Sequence, residues 1–137
     1  MSESTFLLSI LTPYGHYFEG NVEFLEVHSE KYSLGILPNH APLISTLIIS
    51  KMVIRMHGKD FAYANGGGVI YVDKDKVTLI LDSVERADEI DLTRAEESKR
   101  RAEERLKDLD KQNAIDINRA KLALARALNR INIASKD

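Results

Sequence analysis

Six arginines fall into two matched sets. Arg94, Arg101 and Arg105 follow Asp91 of the phrase IDLTRA (Ile90 to Ala95), and Arg119, Arg126 and Arg130 follow Asp116 of IDINRA (Ile115 to Ala120), each displaced by the same 25 residues. A guanidinium group is a permanent cation with its donors in a rigid fork. A row of them therefore either serves an anionic partner or is neutralised by nearby carboxylates. Glu96, Glu97, Glu103 and Glu104 stand at i,i+3 or i,i+4 spacings that allow such local pairing. A solvated, charged face is thus the plainer alternative.

The elements that must carry these arginines are helical. Leu92, Ala95, Ala102, Leu106 and Leu109 follow a three-four spacing interrupted by Lys99, and Ile117, Ala120, Leu124, Ala127, Ile131 and Ala134 repeat it. Asp91 and Asp116 stand where N-caps are wanted, with Ile90 and Ile115 placed as hydrophobic staples. Asp110, Lys111, Gln112 and Asn113 make a polar turn between two antiparallel helices of about five turns. At ~100° per residue each arginine set spans about 40° of arc, roughly a quarter-turn to the same side of its apolar stripe. Antiparallel helices in matched register are related by a two-fold axis normal to their common plane, so both rows should lie on one face of the hairpin. Residues 91–137 hold 12 Lys+Arg against 9 Asp+Glu, whereas residues 1–90 hold 7 against 12.

The first part of the chain has another grammar. All seven glycines and all three prolines precede residue 69. Short β-branched or aromatic stretches (FLLSILT, VEFLEVH, STLIIS, KMVIRMH, FAYAN, GVIYV and KVTLILDSV) alternate there with turn signals at Tyr14-Gly15, Glu19-Gly20-Asn21, His57-Gly58-Lys59 and Asp73-Lys74-Asp75. This pattern predicts an antiparallel all-β sandwich or barrel, of which we take the sandwich, over residues 1–88, followed by a two-helix hairpin over 89–137, α+β overall. Gly66-Gly67-Gly68 is followed by the strand residues VIYV and no helix pattern, so its expected role is close backbone packing, not phosphate binding.

Several classes of function are disfavoured. A net charge of −2 argues against wholesale nucleic-acid binding. The absence of cysteine excludes disulfides, thiolate metal sites and thiol nucleophiles, and fits a reducing compartment. His16, His28, His40 and His57 show no local metal spacing, and no G-x-S-x-G elbow or Walker-type loop is present. Apolar runs of a few residues fall far short of the roughly 20 that cross a bilayer, and the N-terminus lacks a signal-peptide pattern. The expectation is a soluble cytoplasmic protein that reaches a membrane only through another protein.

With LGILPNHAPL (Leu34 to Leu43), GGVIYV (Gly67 to Val72) and the IDLTRA phrase in place, the whole chain resembles the epsilon subunit of bacterial F-type ATP synthases. The resemblance implies a non-catalytic rotor-stalk subunit of a proton- or sodium-driven synthase. Its β-domain would bind the γ subunit and the c subunits of the rotor ring. Its helices would be mobile: folded against the sandwich they permit ATP hydrolysis, and extended into the catalytic head of α and β subunits they inhibit it. The compact form in such relatives binds ATP as a regulatory ligand. By that resemblance Ile90, Asp91, Arg94 and Ala95 match the nucleotide phrase, Glu85 an acidic residue before it, and Arg101, Arg126 and Arg130 the arginines around the nucleotide. Guanidinium forks suit phosphate oxygens, and an acidic group with the backbone near Ile90 could read an adenine amino group. With no hydrolytic motif, ATP would be sensed and left intact.

The same resemblance points to Tyr32 and Ser33 as the rotor-ring contact and to His40 as a loop-ordering or γ-contacting residue. No catalytic or metal residue is expected. The location implied is the cytoplasmic face of the cell membrane, peripheral, within the complex. The chain departs from the family at three places. Tyr32-Ser33 replaces Gly-Glu, Asn39 replaces a turn Gly, and Tyr71 replaces a common Glu; Asn39 should preserve its turn because Asn tolerates positive φ. Two other classes fit the residues less well: a free-standing ATP sensor with no affinity for γ, and a structural hairpin adaptor with no ligand.

Overall fold

The structure is a computed structural model, and it describes residues 4–108 and 114–135. The chain divides into two compact units between Arg86 and Ala87. The first holds strands β1 (Phe6–Thr12), β2 (Gly15–Val22), β3 (Phe24–His28), β4 (Ser33–Ile36), β5 (Leu43–Met56), β6 (Lys59–Val72), β7 (Lys76–Leu81) and β8 (Val84–Arg86). The second holds a 3-10 turn (Ala87–Glu89), α1 (Leu92–Lys107) and α2 (Ala114–Ser135).

The strands form the expected β-sandwich, in hydrogen-bonded order β2-β1-β7-β6-β5-β3-β4 with β8 also on β6, but it is not wholly antiparallel, because β1 and β7 pair in parallel. β5 and β6 belong to both layers. Their Leu43–Leu47 and Gly68–Val72 halves lie with β7, β1 and β2, whereas their Lys51–Met56 and Lys59–Asn65 halves lie with β8, β3 and β4. The stretches STLIIS and KMVIRMH are therefore one 14-residue strand, and FAYAN and GVIYV are another. Glu19-Gly20-Asn21 is not a turn but the interior of β2, and neither β2 nor β4 has the apolar density that marked the other strands.

Two features make this wrapping possible. Gly67 has φ 93°, and a Cβ at Gly68 would collide with the Ile80 carbonyl oxygen, so the triple glycine lets β6 pass close to the end of β7. Asn65 accepts the Gly67 N–H through Oδ1 at 2.8 Å, while the Gly66 and Asp82 N–H groups donate to Ser83 and Gly67 carbonyls at 2.9 and 2.8 Å. At the other end of the long hairpin, His57 (φ 52°) and Gly58 (φ 75°) meet the positive-φ requirement of a type I′ turn. The Gly58 N–H donates to Glu23 Oε1 at 2.8 Å.

The core lies between the layers. Leu8 and Ile10 from β1, Leu25 and Val27 from β3, Met52 and Ile54 from β5, and Ile70 and Leu79 from β6 and β7 are all fully buried. Strand alternation produces this arrangement: β7 buries Val77, Leu79 and Leu81 while Lys76 and Ile80 face outward.

In the second unit, α1 packs against α2 in a helical hairpin. The buried contacts are small: Ala95 and Ala102 on α1, Ala120 and Ala127 on α2. Alanine at these positions lets two helices approach closely without loss of propensity. Leu92 is exposed, contrary to its place in the expected stripe, and Ile133 is buried without having been assigned to it. The expected turn at Asp110 to Asn113, and Leu109, lie outside the described residues.

Candidate functional site

The repeated phrase has two different local structures. Asp91 is the N-cap of α1: its backbone is extended (φ −84°, ψ 102°) and its Oδ1 accepts the Arg94 N–H at 3.1 Å. Asp116 is not the equivalent cap, because α2 already includes Ala114 and Ile115. It lies within the first helical turn, where a carboxylate still faces the positive end of the helix dipole. Ile115 is 62% exposed, which removes it as a staple.

The alanine seam locates the arginines. From Ala95 and Ala102 the helical period of ~100° per residue places Arg94, Arg101 and Arg105 about a quarter-turn to one side. From Ala120 and Ala127 it places Arg119, Arg126 and Arg130 to the same side in their own helix frame. Reversing the direction of one helix brings both rows to one face of the hairpin. The rows differ in burial: Arg94, Arg101, Arg105 and Arg119 are exposed, whereas Arg126 and Arg130 are half-buried and already engage neighbours. On α1, Arg100 pairs with Glu104 one turn on, at 2.9 Å. Ile90 is half-buried beside the cap and Ala95 is buried in the seam, so of the four residues matched to the nucleotide phrase Asp91 and Arg94 present polar side chains outward, beside the exposed Thr93.

Glu85 belongs to the first unit. It sits on β8, opposite Ala64 of β6, and is half-buried. The three residues assigned to partner contact separate to opposite ends of β3 and β4. Tyr32 and Ser33 lie at the β3–β4 turn, with Ser33 Oγ and His28 Nδ1 sharing a hydrogen bond of 2.8 Å. His40 lies beyond the other end of β4, where Leu37 O accepts the His40 N–H at 3.2 Å across Pro38 and Asn39. Asn39 has φ 66°, as the third position of a type II turn requires, so it does replace glycine there. His40 Nδ1–H donates to the Ala41 carbonyl at 2.7 Å, which ties the imidazole to its own loop.

One surface was not marked in advance. Ile44 (72% exposed) and Tyr71 (42%) are cross-strand partners on β5 and β6, and Ile80 (45%) lies on the adjacent β7, all in the outward phase of one layer. The available signal was Tyr71 itself, an aromatic where the resemblance implies a carboxylate. An outward apolar group on a strand is a candidate contact surface. An open cleft of about 650 Å³ also lies in the first unit, bordered by Ser4, Asn21, Glu23, His57, Lys74 and Asp75, and includes none of the nucleotide-phrase residues. Among the described residues no group of three His, Cys, Asp or Glu could hold a metal ion, and no helix is long and apolar enough to cross a membrane.

Comparison with known proteins covers both units. Residues 5–87 match the ATP synthase Delta/Epsilon chain beta-sandwich domain, and residues 88–135 the Delta/Epsilon chain long alpha-helix domain. The ATP synthase epsilon chain of Bacillus mycoides is 45% identical over 130 residues, 95% of this chain and 96% of that one. The epsilon chain of Desulfitobacterium hafniense is 41% identical over 130 residues, again 95% and 96%. In fold, the chain resembles one in the cryo-EM structure of Euglena gracilis mitochondrial ATP synthase, with a TM-score of 0.75 at 14% identity over 98% of this chain and 82% of that one. A chain in the Tetrahymena thermophila central stalk and c-ring gives 0.57 at 16% identity, covering 94% and 96%.

Proposed function

The chain belongs to the ATP synthase Delta/Epsilon chain family as an epsilon-type, non-catalytic rotor-stalk subunit, and on that premise we propose that its helical hairpin is an ATP-gated inhibitor of hydrolysis. The sandwich binds the γ subunit and the c subunits of the rotor ring. The hairpin binds ATP when its helices are closed on each other and engages the α and β subunits of the catalytic head when they open. The complex sits at the cytoplasmic face of a membrane and runs on protons or sodium ions. The outward group of Ile44, Tyr71 and Ile80 supports a protein partner on that layer, and we assign γ to it.

One observation carries the nucleotide reading: Ala95 and Ala102 on α1 and Ala120 and Ala127 on α2 are buried, and the helical period counted from these residues sets arginines of both helices toward one face. Arg94 and Arg101 supply that face from α1, Arg126 and Arg130 from α2. Phosphate oxygens accept from such forks more strongly than neutral groups would. Asp91 caps α1 with one oxygen and retains acceptor capacity for an adenine amino group beside Ile90. ATP bridging both helices binds the closed hairpin better than the open one, and it shifts the population by that difference in affinity.

Calorimetric titration with ATP tests the reading. Arg94→Ala and Arg126→Ala should each weaken binding by about tenfold or more, the loss of one charge-assisted contact. Removing the hairpin should raise ATP hydrolysis by the assembled synthase. An unchanged affinity in both variants removes these side chains from any site, and an unchanged hydrolysis rate removes the inhibitory role.

A further inference from the structure

Two turns of the sandwich are built alike. In the β1–β2 turn, Thr12 Oγ1 accepts the Tyr14 N–H at 3.1 Å and donates to the Gly15 carbonyl at 3.3 Å. In the β3–β4 turn, Ser29 Oγ accepts the Tyr32 N–H at 3.2 Å and donates to the Tyr32 carbonyl at 2.9 Å, which also accepts the Ser29 N–H. Each hydroxyl clamps its turn at both a donor and an acceptor. Each clamped turn then holds a tyrosine in solvent, Tyr14 at 96% exposure and Tyr32 at 61%.

The strand registers bring the two turns to the same end of the sandwich. β1 runs parallel to β7, with Leu11 opposite Ile80, so the turn after Thr12 lies where β7 ends beside the triple glycine. β3 pairs with β5 from Phe24 opposite Arg55 to Glu26 opposite Val53, so its continuation past His28 heads for the same bend. Ile48, 42% exposed, lies in that bend on β5.

We propose that Tyr14 and Tyr32 form a two-point footing on one protein partner, the face of the rotor ring that receives the Tyr32–Ser33 turn. The proposal rests on the reading that this turn meets the ring, and adds Pro13-Tyr14 to the contact. Tyrosine brings large amphipathic area at small rotamer cost. A turn already clamped by a hydroxyl loses little further freedom on docking. The charges of the rim decide the class of partner: Glu30 and Asp82 stand exposed beside Lys31 and Lys51, a mixed set, whereas an anionic lipid surface selects clusters of Lys and Arg alone. An aromatic centre with mixed charges around it fits a protein surface.

Photo-crosslinking in the assembled synthase tests the footing, with p-benzoylphenylalanine replacing Tyr14 or Tyr32 in turn. Both positions should yield adducts with the ring subunit. In parallel, Tyr14→Ala should weaken rebinding to epsilon-depleted synthase by about tenfold, as loss of an interface aromatic does, and Thr12→Val by less because it only loosens the turn. A ring adduct from Tyr32 with none, or only a phospholipid adduct, from Tyr14 overturns the proposal and leaves the turn's own contact standing. Failure of Tyr32 to reach the ring removes that contact and the proposal with it.

Discussion

Asp91 Oδ1 accepts the backbone N–H of Arg94 at 3.1 Å, so the two charged residues of the IDLTRA phrase are joined before any ligand arrives. The bond satisfies one of the four N–H groups that a helix start leaves unpaired.

Capping and ligation by Asp91 can be separated by substitution. Asn caps about as well as Asp but carries no charge, whereas Ala does neither. Asp91→Asn should leave the helical circular dichroism melt within a few tenths of a kcal/mol of wild type, while Asp91→Ala should lower it by about 1 kcal/mol. If the carboxylate is a ligand group, both variants lose ATP affinity. Full affinity in Asp91→Asn would leave the residue a cap alone.

The seam predicts a second effect. Ala102 and Ala120 are essentially inaccessible, so a larger side chain there must push the helices apart. Ala120→Leu should destabilise the hairpin by about 1–3 kcal/mol, the usual cost of overpacking, and should weaken ATP binding because the arginine rows separate. Ala125, exposed on the same helix, provides the control: Ala125→Leu should change neither quantity appreciably. Equal behaviour of the two variants in urea titrations would mean that the alanines do not form a close seam.

Much of this arrangement was legible because it follows from period. Ala95, Ala102, Ala120 and Ala127 recur at seven residues, and Val77, Leu79 and Leu81 at two, so their burial could be read directly. The passage of β5 and β6 between layers could not be read, since Ile48-Ile49 and Gly66-Gly67-Gly68 look like strand ends until both neighbours are known. Likewise the Glu19-Gly20-Asn21 signal was overridden by pairing of β2 with β1, with Leu7 opposite Asn21 and Ser9 opposite Glu19. Asp116 misled for a related reason. The spacing that repeats the cap is real, but α2 begins earlier, and only backbone geometry distinguishes a cap from a first-turn residue. The outward apolar phase at Ile44, Tyr71 and Ile80 was hidden because each of them stands next to inward-facing apolar residues of its own strand, Leu43, Val72 and Leu79, so hydrophobicity alone does not mark the outward positions.

An acid titration should single out Asp60. The hydrogen bond from Arg55, at 2.7 Å, lowers its pKa below the ordinary aspartate value; partial burial opposes this, and the charge of Arg55 adds to it. A carboxylate lowered in the folded state contributes stability above its unfolded pKa and loses that contribution as pH falls through the folded value. Both partners are solvent-exposed, so the effect on global stability is small. The sharper readout is carboxyl NMR: Arg55→Ala should return the Asp60 midpoint toward the ordinary value. An unmoved midpoint would show that the pair does not persist in solution.

The last prediction concerns the independence of the sandwich. Every member of its core cluster, from Leu8 to Val84, lies before Ala87, and all eight strands contribute to it. Ending the chain after Arg86 should therefore preserve a cooperative unfolding transition and the dispersed NMR spectrum of a packed β-protein. The same fragment should be sensitive to Gly68→Ala, because the new methyl group meets a backbone carbonyl of β7, which cannot rotate away as a side chain can. A loss of about 3 kcal/mol is expected, at the upper end of overpacking costs. If the fragment is cooperative and Gly68→Ala is tolerated, β6 does not pass β7 as closely as described. If the fragment is molten even with Gly68 intact, the helices contribute to the sandwich core and the division after Arg86 is not a folding boundary.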